Sequence, residues 1–281
     1  MNLRNLTYRF LAVTAMLAAL TSGSFARSEK QLRNAVIQIV SQIQRSDYEG
    51  DRAALKRLYG ELTPFLQNKH LASRVEYWRG FALWRRALNG FNESADPKEL
   101  QEDLEQAVVD FNQSSAADPG FTDAKIGAGS CLSNLMFLNQ KNTSRMPQLI
   151  AEAGRVLKEA RAEASENPRL YWVLGPNLWY APPEHGGSQS KAIETYEKGL
   201  ELIRNGKGRT SDPLEPSWGE PELLMNLAWS NLHRTTPDLK AAKSYAQSAL
   251  DLVPYWHYVK DILMPQIDKA IDKETTTSAG V

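Results

Sequence analysis

One pattern recurs along this chain and limits the folds open to it: two amphipathic helical segments followed by a proline. The clearest copy is LLMNLAWSNLHRTTPDLKAAKSYAQSALDLVP, residues 223–254. Three alanines recur at helical spacing in its second segment: Ala242, Ala246 and Ala249. Pro254 then ends the unit, because proline cannot continue a helix. A helix pair that repeats cannot bury its apolar face alone, so we predict a solenoid of stacked pairs.

Two further copies place small or apolar residues before a proline in the same way: Ala107, Phe111, Ser114 and Pro119, and Ala153, Leu157, Ala160 and Pro168. Strand signals are almost missing, since no run of alternating Val, Ile, Thr or Tyr lies between turns. The predicted fold class is therefore all-α.

Periodicity and turn residues together predict the helices. They are an N-terminal pair Glu29–Arg45 and Asp51–Asn68, repeat pairs Leu71–Leu88 with Pro97–Ala117, Asp123–Leu138 with Met146–Glu166, Arg169–Tyr180 with Ser190–Arg204, and Glu222–His233 with Pro237–Leu252, and a last helix Trp256–Lys273. Asp51 is the expected N-cap of its helix, and Pro97 is expected in a first turn. Residues 27–70 thus form an N-terminal helix pair and residues 71–273 the repeat domain.

The two ends of the chain lie outside the predicted repeats. Arg4 and Arg9 precede an apolar run, Phe10–Leu20, and Ser24 and Ala26 supply the small residues of a cleavage site. This arrangement is typical of a secretory signal peptide over residues 1–26, cleaved after Ala26. An uncleaved anchor is the alternative. The polar tail of residues 274–281 is predicted to be disordered.

Composition excludes several classes of partner. Lys and Arg total 33 and Asp and Glu total 33, so the chain lacks the basic excess that nucleic-acid binding requires. After signal cleavage no segment is apolar enough to span a membrane. With Cys131 as its single cysteine the chain can form no intramolecular disulfide, and its apolar surroundings predict a buried side chain. Export without disulfides suits a helical solenoid in a bacterial periplasm.

No constellation of residues predicts catalysis or metal binding. The four histidines are His70, His185, His233 and His257, and none has the spacing of a zinc site. The segment Gly206–Thr210 lacks the spacing of a phosphate-binding loop and is interpreted as a basic surface loop. We therefore predict no catalytic residue, no metal, no cofactor and no enzymatic activity.

The repeat pairs resemble tetratricopeptide repeats over 71–273. The residues that carry the resemblance are Tyr171, Leu174, Gly175 and Leu178 with Ala192, Tyr196 and Gly199, and Leu224, Leu227 and Ala228 with Ala242, Ala246, Ala249 and Pro254. The spacing is looser than the regular repeat of that family. The resemblance implies a right-handed superhelical solenoid of antiparallel pairs, closed by a C-terminal capping helix.

A narrower likeness rests on four short motifs: residues 167–169, Leu174-Gly175, residues 180–187 (YAPPEHGG) and residues 216–219 (PSWG). In these, the chain resembles exported bacterial tetratricopeptide proteins. It is also distantly similar to the periplasmic tetratricopeptide component associated with tripartite ATP-independent transporters.

In this architecture the first helix of each pair lines the concave face. If Leu174-Gly175 packs against its own partner helix, that face carries many aromatic residues. The predicted groove residues are Tyr77, Phe81, Trp84, Arg85, Trp172, Trp179, Tyr180, Met225, Trp229 and His233, with His185 at the rim. Two alternatives stay open: the aromatics pack on each other as core, and the His185 turn only reverses the chain.

The predicted function is a periplasmic scaffold that binds a protein or peptide partner, or a small apolar-acidic ligand, in this groove. Arg79, Arg85, Arg86 and Arg169 could pair with carboxylates of the ligand. The alternative is an accessory ligand-binding component of a transport system, with an enclosed pocket.

Overall fold

The computed structural model describes residues 28–279, and every regular element in that range is helical. The helices are α1 (28–49), α2 (Arg52–Glu61), α3 (Ala72–Asn92), α4 (Pro97–Ala117), α5 (Thr122–Leu138), α6 (Met146–Glu163), α7 (Pro168–Tyr180), α8 (Gln189–Arg204), α9 (Glu220–His233), α10 (Leu239–Leu252) and α11 (Met264–Ala279). Short 3₁₀ segments follow α2 and α7, and a π-helical segment, Tyr258–Leu263, precedes α11. The all-α prediction is confirmed over this range.

Helix starts follow the local sequence closely. The Asp51 side chain accepts a hydrogen bond from the Ala54 N–H, and Asp96 caps α4 with Pro97 as its first residue. These side chains satisfy backbone donors that have no partner within the helix. Both predicted starts are confirmed.

The helices pack in pairs, α3 with α4, α5 with α6, α7 with α8 and α9 with α10. Helices α3, α5, α7 and α9 touch in that order, so they form one layer. Helices α4, α6, α8 and α10 pack behind them as the second member of each pair. The helices thus pack in consecutive pairs, and one side of the α3–α9 layer faces away from the helices behind it.

Helix α1 covers part of that face instead of only pairing with α2. Near its end, Asp47 bonds Arg85 of α3, and the Tyr48 hydroxyl donates to Glu222 of α9 at 2.9 Å. The Tyr48 ring also meets Trp256, just after α10, in an edge-on contact at 5.0 Å. The N-terminal helix therefore joins the beginning of the repeat stack to its end.

The connection between α8 and α9, residues 205–219, lies over the same layer. Trp78 donates its indole N–H to the Leu214 carbonyl at 2.8 Å, and Trp218 donates to the Tyr77 hydroxyl at 2.9 Å. Leu214 and Trp218 are buried. We call residues 205–219 the inserted loop, because its apolar side chains fill space between α3 and α7.

The last helix is longer than the sequence predicts. It continues to Ala279, whereas periodicity places its end at Lys273 and a disordered tail beyond. Thr275 and Thr276 donate their hydroxyls to carbonyls one turn earlier, which lets these polar residues stay helical. The predicted signal peptide, residues 1–26, lies outside the described residues. Within 28–279, no helix combines the length and the apolar character that crossing a membrane requires.

Gly175 provides a test of how α7 packs. A Cβ atom added there would lie 2.0 Å from the Tyr196 ring of α8, so the predicted close approach of these helices is present. Gly175→Leu is expected to destabilise the protein by about 1–3 kcal/mol through overpacking, measured by urea unfolding. Gly154→Leu is the matched control, because nothing lies within 4 Å of its added Cβ. That variant is expected to be neutral or slightly stabilising.

Candidate functional site

Five of the predicted groove residues are core residues. Tyr77, Phe81, Trp84, Arg85 and Trp172 are at most 7% exposed. They cannot line an open groove, because α1 and the inserted loop pack over them. The prediction is wrong for these five residues, and their aromatic rings pack on each other, with Trp84 and Trp172 at 5.6 Å.

Arg85 lies at the centre of this buried cluster. Its guanidinium bonds Asp47 at 2.6 Å and Glu222 at 2.7 Å. Four rings surround it at 5.3–5.7 Å: Phe81, Trp84, Trp172 and Trp218. Burial alone lowers the pKa of Arg85, but the two carboxylates outweigh it and raise that pKa, so the side chain stays charged. The cluster joins α1, α3 and α9.

The other arginines predicted to meet a ligand are also paired within the protein. Arg169 bonds Asp123 of α5 at 2.5 Å, and Arg86 pairs with Glu99 and Asp103 of α4. Arg79 is buried and donates to the hydroxyls of Tyr59 and Thr63. These guanidinium groups join helices of the stack, so the prediction that they hold ligand carboxylates is wrong.

The remaining groove residues of α7 and α9 are half-buried or exposed. We call Trp179, Tyr180, Met225, Trp229 and His233 the aromatic patch. Its rings touch: Trp179 meets Trp229 edge-on at 5.2 Å, and Tyr180 lies 6.3 Å from Trp229. Tyr180 is 68% exposed, the largest value among the exposed apolar side chains. Neither α1 nor the inserted loop makes a ring contact with this patch among the described residues.

His233 is held in a defined orientation within the patch. Its ring stacks on Trp229 with 4.3 Å between centroids and 23° between planes. Its Nδ1 lies 2.8 Å from the Trp229 carbonyl oxygen. A carbonyl only accepts hydrogen bonds, so Nδ1 is the donor. The ring is therefore fixed at the end of α9.

His185 lies in the turn that follows α7 and is exposed. The turn is tight, because a Cβ added at Gly187 would lie 1.7 Å from the Ala181 carbonyl oxygen. Gly186 has a φ of +84°, a backbone conformation that glycine adopts readily. No ring contact joins His185 to the patch within residues 28–279. The geometry agrees with the alternative in which this turn reverses the chain.

Two tyrosines that the groove prediction did not include have pKa values that Tyr180 helps to raise. Burial raises the pKa of Tyr258 to about 12, and the Tyr180 phenol makes a smaller contribution in the same direction. Burial also raises the pKa of Tyr196, again with a smaller contribution from Tyr180. The aromatic run Tyr255–Tyr258 is the sequence signal that could have identified Tyr258.

The patch offers apolar ring faces with polar atoms at their edges. Such surfaces bind flat or elongated apolar ligands, since aromatic rings supply large contact areas with little loss of conformational entropy. Among residues 28–279, no group of three or more His, Cys, Asp or Glu side chains could hold a metal ion.

Comparisons with known proteins add a fold relationship. No family model and no curated sequence matches this chain. Among solved structures, the HusA haemophore from Porphyromonas gingivalis is similar, with a TM-score of 0.54 and 18% identity. The match covers 71% of this chain and 94% of that one. At this level of identity the likeness establishes a common helical fold.

Proposed function

We propose that this protein is an exported, non-enzymatic binding protein and that the aromatic patch holds its ligand. The observation that carries the proposal is that Tyr180 and His233 are exposed and Trp179, Met225 and Trp229 only half-buried, beside an aromatic cluster that is buried. The α3–α9 layer contributes both the aromatic patch and the buried aromatic cluster. Helix α1 and the inserted loop cover only the buried cluster. Exposed clusters of large aromatic side chains commonly mark binding surfaces.

The ligand that we propose is flat, largely apolar and acidic at its edge. Trp179, Tyr180 and Trp229 supply ring surfaces, and Arg234 follows His233 directly at the end of α9. The Arg234 side chain takes part in none of the ion pairs among residues 28–279, so it can pair with an acidic group of the ligand. A haemophore is by name a carrier of haem, a flat macrocycle with two carboxylates, which makes a porphyrin the first ligand to test.

A porphyrin titration tests this function. We expect the full chain to bind metal-free protoporphyrin IX, measured by the fluorescence of the porphyrin. Trp229→Ala and Trp179→Ala are each expected to weaken binding by about tenfold or more, since a contact residue of this size commonly contributes more than 1 kcal/mol. Thermal melting should show both variants folded.

Phe137→Ala is the matched control. Phe137 is also an exposed aromatic residue, at 59%, but it packs against Phe91 and has no ring contact with the patch. Its truncation should leave porphyrin affinity unchanged. Equal losses in all three variants would mean that binding is non-specific, and no binding by the wild type would remove porphyrins as the ligand class.

A further inference from the structure

The end of α9 presents a histidine nitrogen whose lone pair is free. Because Nδ1 of His233 donates its hydrogen to the Trp229 carbonyl, the neutral ring carries its lone pair on Nε2. Nε2 takes part in none of the hydrogen bonds or ion pairs among residues 28–279, and His233 is exposed. Metal-binding histidines have this arrangement, in which one ring nitrogen donates to a backbone carbonyl and the other binds the metal.

The stacking of His233 on Trp229 stabilises the same orientation. Two restraints act on the ring, the hydrogen bond at Nδ1 and the parallel contact with the indole at 4.3 Å. An exposed histidine at a helix end otherwise samples several rotamers. A ring held in advance loses less entropy when Nε2 forms a bond.

Resting on the proposed function, we infer that the ligand of the aromatic patch is a metal-containing flat macrocycle and that Nε2 of His233 binds its metal. A single imidazole supplies one bond, so the metal must arrive with its other positions largely filled. A metal at the centre of a macrocycle meets this requirement, because four ring nitrogens already hold it and its axial positions accept imidazole.

The rings of the patch lie at different angles to one another. A macrocycle bound through Nε2 lies perpendicular to the imidazole plane, so it meets the nearly parallel Trp229 at an edge. Trp179 and Tyr180 are inclined to Trp229 by 67° and 52°.

Titrations with two porphyrins that differ only in the metal distinguish this inference from the proposed function. The full-length protein is titrated with ferric protoporphyrin IX and with metal-free protoporphyrin IX, as wild type, His233→Phe and the exposed control His70→Phe. His233→Phe is expected to weaken ferric porphyrin binding by about tenfold or more while metal-free porphyrin changes by about twofold or less. The visible spectrum of the bound ferric porphyrin should lose its imidazole-ligated form, and added free imidazole should restore that form. His70→Phe should match the wild type in every titration.

Each other outcome has a distinct meaning. If His233→Phe weakens both porphyrins equally, or leaves the ferric spectrum unchanged, the ring only stacks and the metal bond is overturned while the proposed function stands. If the wild type binds neither porphyrin, porphyrins are removed as the ligand class of the proposed function, and this inference is overturned as well.

Discussion

Replacing Arg85 with methionine is expected to lower the free energy of unfolding by about 3–5 kcal/mol, because the change leaves two carboxylates buried without their cation. Asp47 and Glu222 both bond the guanidinium, and Glu222 is fully buried. Methionine keeps much of the apolar contact with the surrounding rings, so the loss reports mainly on charge. Guanidinium chloride unfolding followed by circular dichroism measures it.

Two further variants identify the source of this loss. Arg57→Met breaks an exposed pair with Glu61 and should cost about 0.5 kcal/mol or less. Combining Arg85→Met with Asp47→Asn and Glu222→Gln should recover part of the stability, because the unpaired charges are then removed. If the triple variant is as unstable as Arg85→Met alone, lost packing and not unpaired charge explains the effect.

Trp218→Ala is expected to have an effect of similar size, about 3–5 kcal/mol, because it empties a large space within the core. The Trp218 ring touches Trp84 and Trp172 at 5.5 Å, and its N–H bonds the Tyr77 hydroxyl. Truncation also leaves that hydroxyl without its donor in the protein interior. The same unfolding measurement applies.

Ser217→Ala changes the neighbouring residue of the inserted loop and serves as the control. Ser217 is exposed, so its loss should cost about 0.5 kcal/mol or less. A loss below about 1 kcal/mol for Trp218→Ala would contradict a loop that is seated between α3 and α7. The comparison therefore tests whether the loop belongs to the core.

Local signals predicted the helices well, and their physical basis explains why. Capping by Asp51 and the first-turn position of Pro97 depend on residues within one turn of each other. Gly175 contacts α8, which is the next helix along the chain, so this contact also joins residues that are near each other in sequence. Cys131 is buried, as its apolar neighbours indicated, and burial raises the pKa of its thiol.

Part of the groove prediction agrees with the structure, and part of it does not. Periodicity placed Trp84 and Trp229 on the same face of their helices, and both lie in the α3–α9 layer. Periodicity carries no information about what packs on that face. The Trp84 ring is covered by Trp218 of the inserted loop and by Trp172 of α7, and it is fully buried. Trp229 has no such cover and is half-buried beside Tyr180.

By itself the sequence determined an all-α fold, where most of the helices begin, and which residues share a face, because hydrogen bonding and capping act over a few residues. Only the tertiary structure decided which part of that face is core and which part is surface. The deciding contacts join distant segments, such as Arg85 with Glu222 and Trp218 with Tyr77, which lie 137 and 141 positions apart. Contacts of that range depend on how α1 and the inserted loop dock on the completed stack, and no local pattern encodes that docking.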